Sequence, residues 1–114
     1  MPPLQDSILF ARILGILANW RVTGYVIWKD IAIEWLIDNL TGMDQQQVAK
    51  LMFQYLSTGG AIDQVPERRP EWSDFDFHYD LRLPINGRKI YIEMILVEDD
   101  PTDPILRIVS IHDA

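Results

Sequence analysis

The chain contains no cysteine, which excludes disulfides, thiol catalysis and cysteine-bound metals. Cations are also scarce: ten Lys and Arg stand against seventeen Asp and Glu, for a formal charge of -7. The deficit is uneven. Residues 1–57 carry four Lys or Arg and five Asp or Glu, whereas residues 58–114 carry six and twelve. So acidic a C-terminal half repels phosphate backbones and disfavours nucleic acid as a partner. Long apolar runs are missing too. The segment Ile8–Trp20 contains Arg12 and is too short to span a bilayer. The opening "MPPLQDS" lacks the positive segment of a secretory leader. We expect a cytoplasmic protein without membrane contact.

What is present is enough for a core. The chain has 114 residues, 48% of them hydrophobic, which suits one domain. Helix signals come first and strand signals last, with a helical part over 1–60, a connection over 61–74 and a β-meander over 75–114. This order predicts an α+β domain: three helices packed on a three- to four-stranded antiparallel meander.

The first helix should run from Ser7 to Trp20, capped by Asp6 or Ser7. Only Arg12, Gly15 and Asn19 interrupt its apolar residues, in one narrow stripe. A helix apolar on most sides is central to a core or covered by another subunit. We expect a homodimer through the helix around Ile8–Trp20; the alternative is that the other helices and the sheet cover it. A second helix is expected over Trp28–Leu40 and a third over Gln45–Ser57. Asp44 and Gln47 form a capping box for the third, and Gly59–Gly60 ends it. That third helix has Lys50 as its one cation, which argues against a DNA recognition helix. The connection "DQVPERRPEWSD" reads as exposed, and its Arg68–Arg69 pair could reach back to neutralise acidic neighbours.

The most legible stretch is "FDFHYDLRLPINGRKIYIEM", Phe75 to Met94. It alternates with period two, turns at Asn86–Gly87 and alternates again. A two-residue Asn-Gly turn pairs Ile85 with Arg88 and so fixes the register. Leu83 then meets Ile90, Leu81 meets Ile92, Tyr79 meets Met94 and Phe77 meets Leu96, all apolar. The same register sets Arg82 beside Tyr91 and Asp80 beside Glu93. Directly opposed like charges destabilise by about 0.2–1 kcal/mol, so something should offset them. Arg82, diagonal to Glu93, is one candidate. His78, Asp80, Arg82, Tyr91 and Glu93 are therefore the candidate ligand-binding residues. His78, Asp80 and Glu93 could ligate a metal by type, but their spacing fits no metal-binding motif; neither metal nor cofactor is expected. The last strand, Ile105–His112, is apolar on nearly both sides. Its register is open, and with it the face on which Ser110 and His112 lie.

The C-terminal third resembles the RelE/ParE toxin family in three segments. These are "HYDLR" (78–82), "GRKIYIE" (87–93) and "LRIVSIH" (106–112). The resemblance implies a ribosome-dependent RNase or a gyrase poison, in which basic side chains bind the phosphate and assist proton transfer. It nominates Arg82, Arg88 and His112 as catalytic candidates. The acidic charge departs from that family, and its usual first strand is missing or reduced to "TGYVI". Our leading expectation is a dimeric protein- or ligand-binding module, with a protein partner or a cationic ligand bound through the acidic sheet edge and loop. The alternative is a RelE-like metal-independent endoribonuclease.

Overall fold

The structure, a computed structural model, describes residues 2–114. It is an α+β fold: three helices lie on one face of a five-stranded sheet. The elements are α1 (Ser7–Ala18), β1 (Val26–Trp28), α2 (Asp30–Asn39), α3 (Gln45–Ser57), β2 (Ile62–Pro66), β3 (Phe77–Ile85), β4 (Arg88–Glu98) and β5 (Ile105–Asp113), with one 3-10 turn, Pro70–Trp72, between β2 and β3; the sheet face that none of the three α-helices covers is called helix-free. Sheet order is β1-β5-β4-β3-β2. The meander β2 to β5 is antiparallel, and β1 adds parallel to β5, so the sheet is mixed. Among the described residues no helix is long and apolar enough to cross a membrane.

Local signals explain most boundaries. Asp6 caps α1 by accepting from the amides of Ile8 and Leu9. The Asp44–Gln47 capping box opens α3, and Gly59, at φ +95°, follows its end. Trp28 belongs to β1 rather than to α2, because Val26 and Trp28 face the core from a strand paired with Leu106 and Ile108. The connection 61–74 also contributes structure. Ile62–Pro66 forms the edge strand β2, with Pro66 at its last position, where a missing amide donor is tolerated.

The core joins Ile13, Ile16 and Leu17 of α1 to Leu36, Met52 and the sheet residues Leu81, Ile92 and Ile108. Helix α1 packs on α3 and β5, which covers much of its apolar surface, and Ile8 stays 69% exposed. Asn86 and Gly87 take φ 52° and 76°, and the β3–β4 register is the expected one from Ile85–Arg88 to Tyr79–Met94; the ladder ends there, short of the expected Phe77–Leu96 pair. In β5 the pairs Met94–Ile108 and Glu93–Ser110 leave Val109 as an extra residue, a β-bulge. Past it, His112 pairs with Tyr91. Ser110 and His112 therefore share the helix-free face with Tyr91 and Glu93.

Candidate functional site

The helix-free face of the sheet carries two polar rows. In the first, Asp63, Asp80, Glu93 and Ser110 stand opposite one another on β2, β3, β4 and β5. In the second, Arg82, Tyr91 and His112 do the same on β3, β4 and β5. Pairing alone therefore lines up three carboxylates across the sheet.

Residues 67–76 form a flap over the acidic row. The Glu67 amide donates to the Asp76 carbonyl at 2.8 Å and closes the base of the flap. Arg69 then reaches Glu93, and Trp72 lies near Arg107 of β5 and Lys29 beyond β1, with the cations 5.8 and 5.9 Å from a ring centroid. Ile95, next to Glu93 on this face, is fully buried, as are Asp80 at 2% and Glu93 at 6% exposure. The opposed carboxylates are thus covered rather than displayed.

Their compensation is specific. Arg69 makes a bidentate pair with Glu67 at 2.8 Å through Nε and Nη2, and Nη2 also donates to Glu93. These bonds hold the Glu67 carboxyl well below its ordinary value, down to about 2. Arg82 does not serve Glu93; it donates to Asp63 at 3.1 Å. Arg69, from the flap, supplies the cation instead. His78 Nδ1 lies 3.0 Å from Glu67, and Nε2 lies 3.6 Å from Asp80 and 3.9 Å from Glu93.

Between the two buried carboxylates stands the Tyr91 hydroxyl, 2.9 Å from Asp80 and 2.9 Å from Glu93. A phenol has one hydrogen and cannot donate to both. Burial raises the Asp80 carboxyl above its ordinary value, more than its hydrogen bond with Tyr91 lowers it. Glu93 is paired with Arg69. The single phenolic hydrogen therefore serves one carboxylate at a time, and the Tyr91 hydroxyl is the donor in reach of both. Burial first, and the two acids next, raise the Tyr91 hydroxyl, so it stays neutral.

The second row is more open. Tyr91 is flanked by Arg82, 5.2 Å from the ring centroid, and by the His112 ring, stacked at 4.6 Å and 19°. His112 Nδ1 is 2.7 Å from the Asp113 carbonyl, as a donor to it, which leaves Nε2 on the exposed residue as an acceptor. Arg88 is not in this row. It forms a bidentate pair with Asp113, donates to the Asn39 carbonyl and lies against Trp35 of α2.

Of the expected residues, His78, Asp80, Arg82, Tyr91, Glu93 and His112 converge, and Arg88 stands apart. Asp63, Glu67 and the full part played by Arg69 were missed. The readable signal was the Arg68–Arg69 pair ahead of the acidic meander; β2 gave almost none, being five residues long with one Pro. No family model, curated protein or solved structure matches the chain.

Proposed function

We propose that the protein is a binding module whose working surface is the open half of the helix-free sheet face, and that its ligand presents an anionic group such as a phosphate. The observation that carries this reading is the aligned row Arg82–Tyr91–His112. It offers a guanidinium, an aromatic body and an imidazole on adjacent strands. The carboxylates behind it are already engaged by Arg69, Tyr91 and Arg82, so a cationic ligand finds little free charge there. Titrating short phosphorylated ligands and single-stranded RNA while following backbone amide NMR shifts tests the idea. Shifts should cluster at residues 82, 91 and 110–112, and Arg82→Gln should weaken binding about tenfold, the scale of one charge-assisted hydrogen bond. Undisturbed amides at millimolar phosphate ligand would remove the proposal.

A second reading, a RelE-like metal-independent endoribonuclease, is favoured by one further observation. His112 Nδ1 is engaged by the Asp113 carbonyl, so its Nε2 is the ring nitrogen left for a ligand, across Tyr91 from Arg82. Support also comes from β1, which overlaps "TGYVI" at Val26 and Ile27, where the resemblance places what remains of that family's first strand. In this reading His112 acts as general base and Arg82 binds the phosphate. Expression should then arrest growth, and His112→Ala should relieve it. Harmless expression, with RNA left intact by the purified protein with and without ribosomes, leaves only the binding module. In either reading we place the protein in the cytoplasm as a homodimer through α1, where Ile8 is exposed. A monomer mass by light scattering at micromolar concentration overturns the dimer.

A further inference from the structure

We infer that Glu67, His78 and Glu93 form a site for a divalent transition-metal ion, in which the ion takes the place of the Arg69 guanidinium. One ligand atom from each residue lies within 4.8 Å of the others. The side chains of Glu67, Glu93 and His78 are 1%, 8% and 13% exposed, so the donors are largely withdrawn from water. A single nitrogen, Arg69 Nη2, bridges Glu67 Oε2 and Glu93 Oε2, and His78 Nδ1 is 3.0 Å from that same Glu67 oxygen. A point cation at Nη2 would contact both carboxylates with the imidazole beside it. Metal–donor bonds of about 2.0–2.2 Å need donors roughly 3.4 Å apart in a tetrahedral site, so only modest closing is required.

The chemistry selects the ion class. One imidazole nitrogen with two carboxylate oxygens suits Zn2+ or Mn2+ better than Ca2+, which prefers oxygen alone. Arg69 is the replaceable partner. Its side chain is 38% exposed and it arrives on the flap, whereas Glu93 and His78 are fixed by the sheet. Glu67 also lies on the flap, so an ion held by all three donors keeps the flap closed without Arg69. This inference does not depend on the function of the Arg82–Tyr91–His112 row.

The test is Zn2+ titration calorimetry on chelator-stripped full-length chain: wild type, Arg69→Met, and Arg69→Met combined with His78→Asn. Arg69→Met should bind one Zn2+ per chain at least tenfold more tightly than wild type, because the competing guanidinium is gone. Adding His78→Asn should abolish that gain. Should Arg69→Met be unfolded alone, Zn2+ should restore a cooperative thermal transition that the double variant does not show. Binding no tighter than wild type, failure of Zn2+ to rescue an unfolded variant, or a gain that survives His78→Asn each overturns the inference.

Discussion

Replacing Tyr91 by Phe removes one oxygen and keeps the ring that stacks on His112. In the wild type that oxygen serves Asp80 and Glu93 at 2.9 Å each, and both residues are buried. A buried polar group left without its partner costs about 1–3 kcal/mol, so two orphans set an upper bound of about 6 kcal/mol. Relief is available from His78 Nε2, which is 3.6 Å from Asp80 and 3.9 Å from Glu93 and can move closer. We expect a net loss of about 2–3 kcal/mol, a fall in melting temperature of about 8–12 °C for a domain this size. Urea unfolding followed by far-UV circular dichroism at pH 7 measures it. Adding Asp80→Asn to Tyr91→Phe should recover about 1 kcal/mol or more, since the Asn amide donates to Glu93 without adding charge. A Tyr91→Phe loss below about 0.5 kcal/mol would falsify the shared-hydroxyl argument, because an ordinary surface change has that size.

The pH dependence of two acids runs in opposite directions. Glu67 is held down from 4.5 to about 2, so its stabilisation is full above about pH 4.5 and is lost as pH falls towards 2. The wild type should therefore exceed Glu67→Gln in urea midpoint at pH 5, with the gap closing towards pH 2. Asp80 is held above its ordinary 3.8, so it costs stability increasingly as pH rises past 3.8. Asp80→Asn should gain on the wild type over that rise, and a gap independent of pH refutes the upward shift of Asp80. Gly60→Ala brings a Cβ to 2.5 Å from the Tyr55 ring and carbonyl, and thermal melting should show a loss of about 1–3 kcal/mol.

Legibility followed the range of the interactions. The Asn86–Gly87 hairpin and the α3 capping box are set by residues within a few positions of one another, and both formed as read. The register that opposed Asp80 to Glu93 followed from that turn alone. The source of compensation did not, because Arg69 lies 24 positions from Glu93 and acts through a flap whose path depends on where Trp72 docks. Strand β2 escaped for a related reason. Its five residues acquire strand geometry from pairing with β3, not from their own alternation. The face of His112 was undecidable from an apolar run, since one extra residue at Val109 reverses the alternation of everything beyond it.

That bulge also makes the last strand unequal in its tolerance to changes in length. Deleting Val109 would join Ile108, opposite Met94, directly to Ser110, opposite Glu93, and restore regular pairing at that point with every later side chain on its present face. Deleting a residue in the regular stretch on either side would instead put part of the strand out of phase, sending apolar groups outward or polar groups into the core. Across evolutionary time, position 109 is thus a natural splice point in β5. A relative one residue shorter there could keep both the core and the Arg82–Tyr91–His112 row, whereas a one-residue gap elsewhere in the strand would call for a compensating insertion.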